Sequence, residues 1–129
     1  MKRIIINGEN IHDIPSFYKE INQVFMAGED WQIADSLDAL NDLLYGGFGI
    51  LHNSEPVQLV WKEIGRAKET LGIETTKRYY LSKLVPGSTF NRPHFEKKLE
   101  ALENGNGQTY FDIIMEIIAA HPNIQLIQA

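Results

Sequence analysis

With 129 residues, a formal net charge of −5 and no cysteine, the chain has enough length for one domain with one core, and lacks both a disulfide framework and a thiolate metal site. "MKRIIING" offers only three isoleucines after its basic start, too few for a signal peptide. The most apolar later run, "FDIIMEIIAA", is interrupted by Asp112 and Glu116 and falls short of the about 20 residues that a bilayer span needs. The expectation is a cytoplasmic protein without membrane contact.

In chain order, "RIIIN" reads as a buried strand ended by the turn pair Asn7-Gly8. Ser16 is placed to cap a helix over about 16–26, with Phe17, Ile21, Val24 and Phe25 as its apolar stripe and Gly28 closing it. A second helix over about 36–45 stops at Gly46-Gly47, and "VQLVW" after Pro56 gives a second strand. Residues 62–85 have helical spacing with a break at Gly72. Pro93 fits the first turn of a further helix running to about Glu103. "NGNG" then interrupts the chain, "TYFDIIMEIIAAH" is a last helix and "NIQLIQA" a third strand. Strands separated by helices imply parallel pairing with crossovers. The expected fold is an α/β domain, a small three-stranded parallel sheet with helices packed over it.

Catalytic motifs are scarce. "YGGFG" and "NGNG" lack the strand before and the Lys-Ser/Thr after that a phosphate loop requires, so both read as turns. His12, His52, His94 and His121 show no i, i+3 or i, i+4 ligand pair. Acid pairs alone make no enzyme without a nucleophile, anion hole or metal. The chain is therefore expected to be non-enzymatic, with neither cofactor nor metal.

The charge distribution is more informative than its total. Between Lys19 and Lys62 lie seven acids and no Lys or Arg, whereas residues 62–103 carry a net +3. The acidic block opposes direct nucleic-acid binding, because phosphates demand a basic footprint, and it would steer a basic protein toward it.

The densest part of that block is "DSLDALNDLLYGG". In a helix, Asp35, Asp38 and Asp42 fall within roughly 60° of one another, opposite Leu37, Leu40, Leu43 and Leu44. The plain reading is the wet face of an amphipathic helix. It accounts for Asp35 as N-cap and for Asp38 in the first turn, where the helix dipole favours an anion. It does not account for Asp42, a like charge four residues after Asp38, which is destabilising by a few tenths of a kcal/mol. Asp112 and Glu116 repeat the i, i+4 acidic spacing on the last helix. An acidic docking surface stands as the other reading.

The string "SLDALNDLLYGG", preceded by a tryptophan in "GEDWQIAD" and set between "INGENI" and "VQLVW", resembles the barstar family, intracellular inhibitors of small secreted bacterial ribonucleases. "FEKKLEALENGNGQTYFDIIMEIIAAHPNIQLIQA" is similar to the remainder of that fold, and the resemblance covers about residues 3–61 and 93–129. It implies a helix and preceding loop that cover a nuclease active site, with carboxylates standing in for RNA phosphates. Position by position, Asp38 and Asp42 match the family's two acids on the binding helix, Glu116 matches its acid on the last helix, and Trp31 stands for the aromatic of the loop. Asn41 occupies the place of a tryptophan in the prototype. Residues from about 62 to 92 form an insertion absent from the prototype, either an extension of the core or a second contact surface.

The expected partner surface thus comprises Trp31, Asp35, Asp38, Asn41, Asp42 and Glu116, and the expected partner is a basic ribonuclease or nuclease toxin. The alternative is an acidic interaction or regulatory module of the same fold that binds no nuclease.

Overall fold

The computed structural model describes residues Met1–Ala129. Three strands, β1 (Lys2–Asn7), β2 (Val57–Lys62) and β3 (Ile124–Gln128), alternate with six helices: α1 (Ile14–Phe25), α2 (Leu37–Leu44), α3 (Ile64–Thr70), α4 (Ile73–Ser82), α5 (Arg92–Glu103) and α6 (Tyr110–Ala119). A 3-10 turn over Gly8–Asn10 follows β1. The expected α/β class and three-stranded parallel sheet are both present. The order is β1-β2-β3, with Ile4, Leu59 and Leu126 in register on one face and Ile5, Val60 and Ile127 on the other.

Helices cover the first of these faces. Ile6 of β1 and Leu59 and Trp61 of β2 meet Phe17, Ile21 and Phe25 of α1, Leu40 and Leu44 of α2, and Ile114 and Ile118 of α6. Trp61 is fully buried between the rings of Phe17 and Phe111, at 6.1 and 5.6 Å. Truncating an aromatic so placed costs about 3–5 kcal/mol through lost transfer energy and the cavity left behind. On the other face Arg3, Ile5 and Gln125 are exposed, so the helices sit on one side of this parallel sheet rather than on both, as is usual.

Two helix starts differ from expectation. Asp13, not Ser16, caps α1: its carboxylate accepts from the Ser16 backbone N–H at 2.9 Å, while Ser16 Oγ accepts from the Asp13 N–H at 2.9 Å. Ser16 is therefore the third residue of a capping box, and Pro15, with φ preset for the first turn, lets the helix begin earlier. At the other end Met26 is the C-cap, ahead of Gly28. Pro93 is the second residue of α5 rather than its first, after an Asn91 cap.

Residues 64–82 meet the core along a seam formed by α3 and the start of α4. Ala67 of α3 and Leu71, which caps its C-terminus, belong to the main core. Thr76 Oγ1 on α4 accepts from the Tyr110 N–H at 2.8 Å, satisfying a first-turn donor of α6. Beyond that seam α4 and α5 pack on each other through Tyr80 and Phe95, whose rings are 6.1 Å apart.

Candidate functional site

The acidic helix α2 is held from both ends. Ser36, not Asp35, is its N-cap, its Oγ accepting from the Ala39 N–H at 3.1 Å. Asp35 sits exposed one residue earlier, a correction to its expected capping role. On the inward side Leu40, Leu43 and Leu44 are buried.

The loop ahead of Ser36 is pinned by Asn22 of α1, itself buried, whose Oδ1 accepts from the Ile33 N–H at 2.9 Å and whose Nδ2 donates to the Tyr18 carbonyl at 3.0 Å. Past the helix, Gly46 adopts φ +85°, a conformation open to glycine. A side chain there would also meet the Asn53 carbonyl oxygen, 2.3 Å from a Cβ. The two flanks touch each other: the ring of Trp31 lies 4.9 Å from that of Phe48 and remains 45% exposed, and Glu29 accepts from the Gly49 N–H at 3.3 Å.

On this clamped helix Asp38 and Asp42 are both exposed. The chain's two ion pairs, Lys2–Glu55 and Arg92–Glu96, involve none of Asp35, Asp38 and Asp42. Asp38, Asp42 and Tyr45 stand at i, i+4 and i+7, one stripe along the helix. Tyr45 is 65% exposed, the most exposed aromatic of the chain. Sequence reasoning passed over it because it lies next to Gly46-Gly47 and reads as the end of the element.

Asn41 is turned toward the neighbouring helix. Its Oδ1 lies 2.8 Å from Nε2 of His121, which follows α6 and is buried. Tyr45 presents its ring to the same imidazole, centroid to centroid 4.7 Å, edge on. Burial holds the His121 imidazole below its usual pKa, in the neutral form. A satisfied core histidine is thus the foundation of this face, and no spacing rule would have found it, because its partners lie about eighty positions away.

The last helix separates its two acids. Asp112 is a fold residue: its carboxylate accepts from the Thr109 N–H at 3.0 Å, and Thr109 Oγ1 accepts from the Asp112 N–H at 3.1 Å, a capping box. Glu116 is exposed on α6, which packs beside α2, and accepts from Gln108 Nε2 at 2.7 Å.

Beneath the start of α2 lies a tyrosine cluster. Tyr18 and Tyr110 share a buried hydroxyl hydrogen bond at 2.5 Å, and Tyr79 packs edge on against Tyr110 at 5.1 Å. Burial above all pushes these phenols up, and negative charge adds to it, from Asp35 at Tyr18 and Tyr110 and from Asp38 at Tyr79. They stay neutral and act as hydrogen-bonded packing. No group of three or more His, Asp or Glu side chains is placed to hold a metal ion, and no helix is long and apolar enough to cross a membrane. The exposed stripe carries two carboxylates and the Tyr45 ring. No protein-family model matches the chain, and no curated protein matches it in sequence.

Proposed function

We propose that this chain is a barstar-like inhibitor that docks its α2 face into the active-site cleft of a small basic ribonuclease. The observation that carries the reading is the stripe Asp38–Asp42–Tyr45, exposed and with its acids in no ion pair, on a helix clamped at both ends. The fold derives nothing from the charge at Asp42, and a basic cleft would. Its carboxylate enters a site built for phosphate and takes the hydrogen bonds of the nuclease's own cations. Asp38 and Glu116 lie nearer the rim and contribute less, and Trp31 adds packing. The rigid clamp lowers the ordering cost of association.

One observation favours the alternative, an acidic interaction module that binds no nuclease. Asn41, at the position where the prototype inhibitor carries a tryptophan, is bonded inward to His121. Tyr45, one turn on, returns an aromatic to the same face.

The experiment is capture of basic proteins from cells of the same source on the parent chain and on Asp42→Ala, followed by assay of the captured fraction on a fluorogenic RNA. The expected result is a ribonuclease retained by the parent, inhibited at one-to-one stoichiometry and lost from the variant. A capture profile that Asp42→Ala leaves unchanged overturns the docking reading; a partner that depends on Asp42 but has no nuclease activity establishes the alternative.

A further inference from the structure

Beside the first turn of α2 an open groove of about 470 Å³ runs between that helix and the pair α4–α5. Asp38 stands on one wall, and Lys83, Lys98 and His94 on the other, with Tyr79 and Phe90 along the groove. The ammonium of Lys83 lies over both rings, 4.1 Å from the centre of Phe90 and 5.1 Å from that of Tyr79. Opposite charges therefore line one groove, yet neither lysine forms an ion pair with Asp38 or any other acid. Phe90 is 49% exposed, leaving apolar surface between the charged walls.

The lysines have a consequence for anything that lands on α2. A uniformly basic surface approaching Asp38 and Asp42 would bring its cations onto Lys83 and Lys98, and like charges brought together at an interface are strongly disfavoured. A partner that places a carboxylate at that point instead satisfies both lysines as they lose water, and lays its stem across Phe90 and Tyr79. We infer that the end of α4 and the facing side of α5 form a second half of the docking face, and that the groove receives an acidic segment of the same partner whose basic cleft meets Asp42. This rests on the docking reading above. It assigns the α4–α5 pair the role of a selectivity filter, admitting nucleases with an acidic segment beside the cleft and rejecting those without one.

The test uses the full-length chain and the partner obtained by capture that depends on Asp42. Zero-length carbodiimide coupling, which joins an amine to a carboxylate in contact with it, is followed by peptide mapping. The expected amide bonds link Lys83 or Lys98 to an Asp or Glu of the partner. In parallel, Lys83→Glu combined with Lys98→Glu should weaken binding by roughly tenfold or more, Lys83→Gln with Lys98→Gln by less, and Lys97→Glu, on α5 outside the groove, by less than about twofold. Circular dichroism and denaturant midpoints matching the parent ensure that the variants are compared as folded proteins. Unchanged or tighter binding by the double Glu variant, or coupling confined to other lysines, overturns the inference and leaves the docking of Asp42 standing. Absence of any Asp42-dependent partner overturns both.

Discussion

Asn41 of α2 and His121 after α6 are joined side chain to side chain at 2.8 Å, across eighty positions of sequence. The bond turns one polar residue of the acidic helix inward, so that the exposed stripe consists of Asp38, Asp42 and Tyr45 alone. It also makes the seating of α2 depend on a titratable ring.

That dependence has a sign. The folded pKa of His121 is lowered by burial, so the folded state binds fewer protons than the unfolded chain as pH falls through the ordinary histidine value near 6.5. Stability from this group is fully present above that value and is lost as pH drops toward the folded pKa. His121→Gln should flatten this slope. Denaturant midpoints at pH 7.5 and 5.5 should differ less in the variant than in the parent; an unchanged difference would place the acid sensitivity elsewhere.

The two candidate caps of α2 separate cleanly by mutation. Ser36→Ala removes the acceptor for the Ala39 N–H and should cost about 1 kcal/mol, whereas Asp35→Ala should stay within about 0.5 kcal/mol. Urea denaturation of the two variants decides between them.

Asp42 and Tyr45 are expected to matter for binding and not for folding. Asp42→Ala should cost about 2–5 kcal/mol of affinity, mostly in the dissociation rate, a scale borrowed from inhibitor–nuclease complexes of the resembled kind. Its folding stability should equal or slightly exceed that of the parent, because repulsion with Asp38 is relieved. Tyr45→Ala should lose about 1–2 kcal/mol of affinity with little change in denaturant midpoint, since the ring is 65% exposed. Parallel titration calorimetry and denaturation give both numbers. A lowered midpoint with intact binding in Asp42→Ala would return that residue to the fold.

Association should be fast at low salt and slow as ionic strength rises, with dissociation changing less, because the unpaired acids act over a distance before contact. Stopped-flow rates at 50 and 500 mM salt, conditions on either side of a Debye length of roughly 10 Å, measure this. The double variant Asp38→Asn with Asp42→Asn should lose most of the salt dependence.

The order of strands and helices and the face of α2 that carries acids were legible in the sequence because they rest on local periodicity, and parallel pairing followed from the helices that separate the strands. Apolar residues two apart make a strand face and those three or four apart make a helix stripe, whatever the rest of the chain does. The break at Gly72 and the separation of Asp42 from helix-capping needs were legible for the same reason. What periodicity does not contain is which of two adjacent polar residues starts a helix. Asp35 and Ser36 are equally good caps by type, and Ser36 is the one whose Oγ reaches the Ala39 N–H, on a helix whose Leu40, Leu43 and Leu44 pack into a core built largely by β1, β2, α1 and α6. Likewise Asp13 displaced Ser16 through a reciprocal pair of hydrogen bonds, and Asp112 was claimed by Thr109, leaving Glu116 to stand without it. Only the tertiary structure decided that Asn41 looks inward, that Tyr45 looks outward, and that Lys83 and Lys98 face Asp38 across an open groove. Those outcomes depend on contacts between residues forty to eighty positions apart, and contacts at that range are set by packing, which no local pattern encodes.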